Sequence, residues 1–561
     1  MAGPHSLAVA LVGAAVAGLG AAAQPGQLVQ LTGPGACVSQ LDTDGICADA
    51  RALNGPDALV LSPDGRFVYA ASSGVAPNVA GNAGSVAVFA RNTATGRITQ
   101  PEGEAGCVGD LEEGCGAAMG IQGTSALAVS GNGLYLYATG FRPGSLASFS
   151  RSAQGALTQL GGPGGCIGAD ESEGCTAGAG LLGAADLAVA PGGTNVYVAS
   201  FRSSAVAAFA RDPANGQLRQ LAGEAACTAE PDPEDETDVA GSCRAGRGLL
   251  GATALTASAD GRNVYVLGRD SIAAFRREPG GGLTQLAGAQ GCLSVDGRSG
   301  CAVVPQLENT LDLAISPDSR ALYVASYLPG ALTVLRRDPS TGSLAATTAL
   351  TTPALDGISG LAITPDGRGL YAVSPYQDAV LAFSRRPKGR IERLPGAAGC
   401  VSDVERSDSC SHAEVLSRAS AVAVSPDGRH VYVSSVEPIG IACACGRELG
   451  SLSVFTRSET SVSLARPRTA GAVRAGGAFR VTAAVRSSAA RVTVSCSVFV
   501  DGRPIPAAGR YAAGTAVCTG IVRKGVVGSR LVGTVKVTAG GTVRAAGFSF
   551  PIRRAAMRSA R

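Results

Sequence analysis

The chain of 561 residues contains no tryptophan, only three histidines and few aromatic residues overall (4%). Proteins that bind single-stranded nucleic acid commonly stack bases on aromatic side chains, so this composition argues against a nucleic-acid partner. Only His412 and His430 lie beyond the N-terminal region. A metal centre built on histidine is therefore disfavoured as well.

Long apolar runs are also missing, apart from residues 6–23 near the N-terminus (SLAVALVGAAVAGLGAAA). This run ends in three alanines before Gln24, an A-x-A-like cleavage site typical of a secretory signal peptide. Its flank carries His5 but no lysine or arginine, so an uncleaved anchor helix remains the alternative. We expect residues 1–23 to be a signal peptide and the mature protein to be secreted, extracellular or envelope-associated, with no membrane span after cleavage.

Glycine is abundant, at 78 residues, and one sequence pattern repeats seven times. The segment LVLSPDGRFVYAAS (59–72) recurs with an aligned tyrosine in each copy: Tyr69, Tyr137, Tyr197, Tyr265, Tyr323, Tyr371 and Tyr432. A second hairpin follows each copy, with an arginine at its corner: Arg91, Arg151, Arg211, Arg277, Arg337, Arg385 and Arg457. Alternating β-branched residues bounded by Gly, Pro, Asp and Asn predict short antiparallel strands.

The pattern predicts that each repeat forms four strands, A to D, with a tight P-D-G-type turn between A and B. One such sheet cannot bury both of its faces, so the seven sheets are expected to stack radially. We predict an all-β protein: a seven-bladed β-propeller over residues 28–465, followed by a small antiparallel β-sandwich over residues 466–561 that resembles immunoglobulin-like modules. Residues 28–31 resemble a D strand and are expected to complete the seventh blade.

The recurring V/L-Y-V-x-S pattern resembles the YVTN-repeat and lactonase-type seven-bladed propellers over residues 28–465. The resemblance implies the propeller fold. It also raises lactone hydrolysis as an activity, but no catalytic residue of the family can be transferred to a matching position here. A shared fold does not by itself establish a shared reaction.

Twelve of the 16 cysteines occur as pairs between the D strand of one repeat and the A strand of the next. The pairs are Cys37/Cys47, Cys107/Cys115, Cys166/Cys175, Cys227/Cys243, Cys292/Cys301 and Cys400/Cys410. The flanking distances are constant whereas the interval between the two cysteines varies, which favours disulfides over metal clips. A metal site would constrain its internal spacing, so we predict six local disulfides in an exported protein and no metal.

The remaining four cysteines fall outside this pattern. Cys496 and Cys518 lie in the C-terminal region and are expected to pair within it. Cys443 and Cys445 are separated by one residue, and a loop pin, a contact with another chain, and redox or metal chemistry all stay open for them. Asp42-Thr-Asp44-Gly faintly resembles a calcium loop but lacks its other ligands, so no cofactor is predicted, and calcium stays the alternative.

Alternating connections place the tight A–B and C–D turns on one face of the propeller, and the B–C loops and cystine linkers on the other. We call these the turn face and the cystine face. Binding residues usually lie on variable loops, which favours the cystine face. Two expanded B–C loops are expected to form one patch there, with candidate residues Asn78, Asn82, Glu437, Arg447 and Glu448, unless they simply cover the closure of the ring.

The start of each A strand is expected to line the mouth of a central channel. Five residues before the aligned Ser or its equivalent stand Asp57, Ser125, Ala185, Thr253, Leu311, Ser359 and Ser420. Asp57, Ser125, Thr253, Ser359 and Ser420 are the polar candidates for ligand binding, and Asp57 is the single candidate for catalysis. His430 follows the turn of the last repeat and is expected to be solvated.

The C-terminal region differs sharply in charge from the rest of the chain. Residues 466–561 contain 17 basic residues and one acid, Asp501, a net charge of +16, whereas residues 1–465 carry −12. A basic module can bind anionic envelope polymers, a surface glycan or a membrane surface, or it can dock onto its own acidic propeller. A protein partner for the propeller is also open, and we expect a monomer.

These features favour a secreted or envelope-associated, non-catalytic binding scaffold with a basic C-terminal tether. The alternative is a lactonase-like hydrolase that uses the channel mouth.

Overall fold

A computed structural model describes residues 24–40, 43, 45–74, 84–110, 114–171, 174–231, 243–403, 410–437, 449–458, 462–469, 471–487, 492–539 and 542–554. The chain divides into two compact units, Gly26–Glu459 on the one hand and Thr460–Arg561 with the N-terminal segment Met1–Pro25 on the other. Within the described ranges no α-helix occurs, and no helix is long and apolar enough to cross a membrane. The described structure consists of β-strands and short 3₁₀ turns, as predicted.

The first unit is a closed ring of seven blades. Each A strand contacts the A strands of both neighbouring blades, and the seventh contacts the first. The A strands are Pro56–Leu61, Thr124–Val129, Ala184–Val189, Ala254–Ala257, Thr310–Ile315, Gly360–Ile363 and Ala421–Val424. The B strands are Phe67–Ser72, Tyr135–Gly140, Asn195–Ser200, Asn263–Gly268, Ala321–Ser326, Gly369–Ser374 and His430–Glu437. The C strands are Ser85–Arg91, Ser145–Arg151, Ala205–Arg211, Ser271–Arg277, Ala331–Arg337, Ala379–Arg385 and Leu449–Arg457.

The D strand is broken in two in every blade that carries a cystine. Its first half pairs with the end of the C strand: Ile98–Thr99, Leu157–Gln159, Leu218–Gln220, Leu283–Gln285, Ile391–Arg393 and Leu28–Gln30. Its second half starts at the first cysteine: Cys107–Gly109, Cys166–Gly168, Cys227–Ala229, Cys292–Ser294, Cys400–Ser402 and Cys37–Ser39. Blade 5 has no cystine, and its D strand, Leu344–Thr351, is continuous.

The chain after each second cysteine adds a short parallel strand at the outer edge of the blade. These strands are Gly116–Ala117, Thr176–Ala177, Arg244–Ala245, Ala302–Val303, Ser411–His412 and Ala48–Asp49. Short 3₁₀ turns occupy the D-to-A linkers at Gly103–Gly106, Gly223–Ala225, Gly288–Gln290, Arg298–Gly300, Pro305–Leu307, Pro353–Leu355 and Gly396–Gly399, and one more, Pro387–Gly389, lies in the C–D turn of blade 6. The cystine loop therefore extends each of the six blades that carry it outward and leaves the inner strands unchanged.

The six linker disulfides predicted from the sequence are all formed. In each of them the second cysteine returns the chain to the outer edge of the blade, with the two Cα atoms 4.7 or 4.8 Å apart. The bonds are Cys37–Cys47, Cys107–Cys115, Cys166–Cys175, Cys227–Cys243, Cys292–Cys301 and Cys400–Cys410. Because both cysteines of every pair are bonded to each other, these residues are not metal ligands, and the disulfide prediction is confirmed.

Chain from both ends of the propeller sequence forms the seventh blade. Residues Leu28–Gln30 pair antiparallel with the last C strand, so that Leu28 lies opposite Arg457. The first cystine strand, Cys37–Ser39, pairs with the same C strand through Ser453, Leu452 and Ser451. This arrangement closes the ring by hydrogen bonds, which avoids an open seam between the first and last blades.

Seven apolar cores hold the blades together, one at each contact between neighbouring blades. The core between blades 1 and 2, for example, joins Tyr69 and Val88 to Leu136 and Phe149. Described side chains of the B strands are buried, whereas most A-strand residues stay half-buried. This difference is what a solvent-lined channel along the ring axis requires, because the A strands form its wall.

The second unit is a two-sheet sandwich whose strands pair antiparallel, except that Val473–Arg474 runs parallel to Thr542–Arg553. One sheet contains Val462–Leu464, Arg468–Thr469, Ala478–Ser487, Thr515–Ile521 and Ala507–Ala512, and the other contains Val473–Arg474, Thr542–Arg553, Arg530–Ala539, Val492–Val500 and Arg503–Ile505. The disulfide Cys496–Cys518 joins the two sheets, as expected from the sequence. The core of the sandwich includes Phe479, Val481, Leu531 and Val535.

Candidate functional site

The repeated tyrosines of the turn face bind the next blade around the whole ring. Each tyrosine hydroxyl donates a hydrogen bond to a glycine carbonyl of the following C–D turn, as Tyr265 does to Gly342 at 2.7 Å. The same bond occurs at all seven positions, and Tyr371 reaches Gly26, the first residue of the propeller unit, at 2.8 Å. Burial raises the pKa of Tyr265 to about 12, so the hydroxyl keeps its proton. These tyrosines therefore have a structural role.

The repeated arginines complete the same blade-to-blade connection. Arg337 is almost fully buried and donates to the Tyr265 hydroxyl, to Asn263 and to both carboxylate oxygens of Asp260 in the preceding blade. Within the described part of the chain, five blade junctions have such an Arg–Asp pair: Arg91–Asp427, Arg151–Asp64, Arg337–Asp260, Arg385–Asp318 and Arg457–Asp366. These aspartates come from the recurring A–B turn, so the whole motif serves ring assembly.

His430 belongs to this network, which corrects the prediction that it is solvated. Its side chain is only 3% exposed, and Nδ1 lies 2.8 Å from Nη2 of Arg91. Burial, and then the positive charge of Arg91, lower the pKa of His430. The neutral ring accepts the arginine hydrogen bond at the position where blade 4 has Asn263. The sequence did not show this contact because Arg91 belongs to the opposite end of the chain.

The start of each A strand lies at the cystine-face end of the channel, where a β-bulge interrupts the regular pairing. In blade 1, Pro56 pairs with Ser72 and Ala58 with Ala71, which leaves Asp57 as the extra residue. Equivalent register shifts occur in blades 2, 3 and 5. Bulges redirect side chains and often lie beside active sites. Because the bulge adds one residue, the positions whose side chains line the channel are displaced by one along the strand.

The five polar residues predicted for the channel mouth differ in their surroundings. Asp57 is exposed, whereas Ser125, Thr253, Ser359 and Ser420 are half-buried. Ser125 and Ser420 donate to main-chain carbonyls of the next blade, at Ala185 and Pro56, with distances of 2.9 Å and 2.5 Å. Thr253 donates weakly to Leu267 within its own blade at 3.4 Å. The Ser359 hydroxyl is buried and has no hydrogen-bond partner among the described residues.

Two carboxylates that the sequence reasoning missed occupy the next position along the A strands of blades 3 and 5. Asp186 accepts hydrogen bonds from the main-chain amides of Leu187 at 2.8 Å and Leu255 at 2.7 Å. Asp312 accepts equivalent bonds from Leu313 and Leu361, both at 2.7 Å. Each carboxylate thereby connects its own A strand to the A strand of the following blade. The aligned residue in the other blades is alanine or glycine.

Both carboxylates are difficult to ionise. Burial raises the pKa of Asp186 to about 6, against the effect of its two amide hydrogen bonds. Burial, and then the negative charge of Asp186, raise the pKa of Asp312 to about 7. The charge of Asp186 thus acts on Asp312 although blade 4 separates their strands. No basic side chain among the described residues contributes to either pKa. Such perturbed pairs are typical of functional sites.

Asp186 and Asp312 stand one residue further along the aligned repeats than the position predicted to line the channel. That predicted position, five residues before the aligned serine, holds Asp57 in blade 1 and excludes Asp186 and Asp312. Regular strand alternation would exclude adjacent positions, but the bulge breaks that alternation. The detectable signal was an acid at a position that is otherwise alanine or glycine.

The predicted patch of expanded B–C loops falls almost entirely outside the described residues. Asn78, Asn82, Arg447 and Glu448 lie there, together with Cys443 and Cys445 and with Asp42 and Asp44 of the calcium-like loop. Glu437 ends the last B strand, and only its backbone is described. Among the described residues, no group of histidine, cysteine or acidic side chains could hold a metal ion.

The described parts of the cystine linkers contribute disulfides and one buried acid to the scaffold of the propeller. Their cysteines are all bonded in pairs, from Cys37–Cys47 in the first linker to Cys400–Cys410 in the last. One of the acids in these linkers is an internal support: Glu230 is 6% exposed and accepts hydrogen bonds from Leu249 at 2.7 Å and Ser299 at 2.8 Å. With Cys496–Cys518, the seven disulfides are expected of a protein in an oxidising, extracytoplasmic compartment.

Aromatic and arginine side chains alternate across the B–C turns of blades 2, 3 and 4. The Arg202 guanidinium lies 5.6 Å from the centre of the Phe141 ring, and that of Arg269 lies 5.8 Å from the Phe201 ring. The two rings are 6.3 Å apart. Both arginines are exposed, and we call these four residues the cystine-face stack.

The closed ring, its blade-to-blade tyrosine–arginine network and its channel carboxylates define the first unit as a seven-bladed β-propeller with a polar site at one channel end. The model of the family "Lactonase, 7-bladed beta-propeller" matches residues 186–349, which include Asp186 and Asp312. The predicted resemblance to lactonase-like propellers is therefore confirmed.

Solved structures similar to this chain include several from bacteria. A putative 6-phosphogluconolactonase from Bacteroides fragilis is 17% identical, with 60% of this chain and 82% of that chain covered and a TM-score of 0.44. The periplasmic gluconolactonase PpgL of Pseudomonas aeruginosa is 19% identical, with 60% and 83% covered and a TM-score of 0.43. No curated protein matches the chain.

Proposed function

We propose that the propeller is a hydrolase that opens lactone rings at the cystine-face end of its channel. The observation that carries this proposal is the pair Asp186 and Asp312, two interacting carboxylates with raised pKa values in a channel whose other equivalent positions are alanine or glycine. The family match over the segment that contains both residues supports it. This proposal replaces the non-catalytic scaffold as the favoured function.

The reaction needs one base, one acid and one water molecule. Asp186, which ionises first, accepts a proton from water as the water oxygen attacks the lactone carbonyl carbon. Protonated Asp312 donates its proton to the ring oxygen as the bond between that oxygen and the carbonyl carbon breaks. The product is a hydroxy acid, and proton exchange with solvent restores the pair. Raised carboxyl pKa values near neutrality suit both roles.

The main-chain hydrogen bonds give the pair a fixed orientation. Each carboxylate is held through both of its oxygens, one by its own strand and one by the next blade. Each oxygen retains a second lone pair for a substrate or a water molecule. The equivalent positions of the neighbouring blades hold residues without a titratable side chain, such as Ala254 and Gly360. Positioning by rigid strands is what acid–base catalysis requires.

The test uses the full chain and a panel of five- and six-membered aldonolactones, with proton release followed by pH-stat titration. We expect Asp186→Asn and Asp312→Asn each to lower kcat by about 100-fold or more, in the range of general acid–base contributions. Asp57→Asn is the matched control, because Asp57 is also an acid at the channel mouth but is exposed. We expect it to change kcat by less than about 3-fold.

The pH profile of kcat/KM gives a second readout. A base that titrates near 6 and an acid that titrates near 7 predict a narrow bell with its maximum between these values. Loss of one limb is expected in each single variant. The hydrolase proposal is wrong if wild-type protein turns over no lactone in the panel, or if both asparagine variants keep full activity.

A non-catalytic binding function of the cystine face is the second candidate. The observation that favours it is the cystine-face stack, which presents two exposed guanidinium groups supported by aromatic rings. A thermal-shift ligand screen on wild-type protein and on Arg202→Ala/Arg269→Ala would test it. Ligands that stabilise the wild type but not the variant, in the absence of lactone turnover, would favour binding over catalysis.

A further inference from the structure

One face of the second unit carries arginines without acidic neighbours. The residues Arg468, Thr482, Val517 and Arg510 are cross-strand partners in one row of four neighbouring strands. Directly opposed residues of an antiparallel sheet point to the same side, so the two arginines share a face. Arg480 lies two residues from Thr482 and therefore points to that side as well. All three arginines are exposed.

No described acid compensates this charge. The only acid after residue 465 is Asp501, and its carboxylate accepts a hydrogen bond from Ser529 at 2.7 Å in the other sheet region. Arg468, Arg480 and Arg510 form no salt bridge among the described residues. The arginine face thus presents three unneutralised guanidinium groups on a rigid sheet.

The spacing of these groups suits a chain of repeated anions better than one small anion. Two strands lie between those of Arg468 and Arg510, so the pair is separated by roughly 14 Å at about 4.8 Å per strand. A small anion can contact one guanidinium, whereas a polymer can contact all three at once and gain affinity from the linkage. The face therefore favours an extended polyanion.

Hydroxyl groups lie between the arginines. Thr482 occupies the row of Arg468 and Arg510, and Thr519 is the cross-strand partner of Arg480. Beside them, a cavity of about 460 Å³ is lined by residues that include Thr469, Phe479, Arg480 and Ile521. Acidic sugars such as uronic acids offer hydroxyl groups for threonines and carboxylates for arginines, and no aromatic side chain in these rows is available to stack a nucleic-acid base.

We propose that this arginine face, defined by Arg468, Arg480, Arg510, Thr482 and Thr519, binds an acidic polysaccharide whose sugar units carry carboxylates. Guanidinium groups bind the carboxylates in bidentate geometry, and the threonine hydroxyls bind sugar hydroxyls. An exported protein meets such polymers at the cell surface. The binding surface is independent of the channel carboxylates, so it stands even if the chain hydrolyses no lactone.

The experiment measures binding of the full chain to a fluorescent oligogalacturonate by polarisation, at low and at high salt. We expect Arg468→Ala/Arg480→Ala/Arg510→Ala to weaken binding about 30-fold, as three surface ion pairs would. The control Arg503→Ala/Arg523→Ala/Arg553→Ala removes the same charge from other exposed positions of this unit. It is expected to weaken binding by less than about 3-fold, through the general field alone.

Three further probes define the outcome. Neutral dextran, inorganic polyphosphate and phosphatidylglycerol vesicles are expected to bind more weakly than the oligogalacturonate. Tighter binding of polyphosphate or of vesicles would assign the face to phosphate polymers or to a lipid surface and overturn the proposal. Equal losses in the two triple variants, or no binding of oligogalacturonate by the wild type at low salt, would overturn it too. Circular dichroism of both variants checks that the fold is intact.

Discussion

The two faces of the propeller differ in which side chains recur from blade to blade. On the turn face, the same tyrosine, arginine and glycine contacts recur from blade to blade around the ring, and their side chains are largely buried. On the cystine face, the disulfides recur but the channel residues beneath them do not: the two aligned positions hold acids only at Asp57, Asp186 and Asp312. In a repeat protein, identical positions therefore indicate assembly, and positions that differ between blades indicate a site.

The largest expected effect concerns the turn face. Arg337→Ala removes a fully buried cation and, with it, its hydrogen bonds to Tyr265, Asn263 and Asp260. We expect the free energy of unfolding in urea to fall by about 3–5 kcal/mol. The control Arg386→Ala breaks an exposed pair with Glu392 and should cost at most about 0.5 kcal/mol. Equal losses in the two variants would contradict an assembly role for the repeated arginine.

The next effect concerns the disulfides of the cystine face. Replacing Cys227 and Cys243 by alanine opens the longest described linker disulfide, with a sequence separation of 16. The chain-entropy model predicts a loss of about 3 kcal/mol for a loop of this size, and about 2.5 kcal/mol for Cys107 and Cys115. Lactone turnover should persist, since neither pair contacts Asp186 or Asp312. A total loss of activity with an intact fold would show that the disulfides position the site directly.

The two faces are expected to respond to pH in opposite directions. Asp186 and Asp312 have raised pKa values, so the folded state binds more protons than the unfolded state between about pH 4 and 7, and stability falls as pH rises. Although burial alone would raise it, hydrogen bonds from Ser425, from the backbone of Arg429 and from Arg91 lower the pKa of Asp427 to about 2. The stability that Asp427 contributes is present above about pH 4 and is lost as pH falls toward 2.

Urea titrations between about pH 3 and 8 measure this difference. Wild-type protein should lose on the order of 1–3 kcal/mol of stability from about pH 4.5 to 7.5, given the partial exposure of the channel. Asp186→Asn/Asp312→Asn should abolish most of that fall while keeping the loss below about pH 4. An unchanged fall in the double variant would mean that other groups control stability in this range.

The smallest expected effect comes from restoring the Arg–Asp pair at a junction of the turn face that lacks it. Asn132 stands where five other turns have the aspartate that pairs with the arginine of the next blade, and the buried Nη2 of Arg211 has no hydrogen-bond partner among the described residues. Asn132→Asp should stabilise the fold by about 0.5–1 kcal/mol, because the restored pair is partly exposed. The reverse change, Asp318→Asn, should cost a similar amount at the Arg385 junction. No gain from Asn132→Asp would show that this junction differs in geometry.

Much of the architecture could be predicted because repetition reveals it. Seven aligned tyrosines indicated the number of blades, and constant distances around variable cystine intervals indicated disulfides. The site was harder to predict. Asp57 was selected by its aligned position and is exposed, whereas the neighbouring position holds the two half-buried carboxylates with raised pKa values. Strand alternation is a reliable guide only where the pairing is regular, and a bulge at the channel mouth shifts it by one residue.

Periodicity, spacing and composition are enough to predict the all-β repeat architecture, the disulfide framework and the concentration of positive charge after residue 465. The interactions between residues that are distant along the chain follow only from the folded ring. Asp186 and Asp312 belong to blades separated by a third, and Arg91 contacts His430 across the closure of the ring. In a closed ring, residues at equivalent positions of separate repeats lie around one common axis, and the first repeat lies beside the last. Neither arrangement can be read from the order of the residues along the chain.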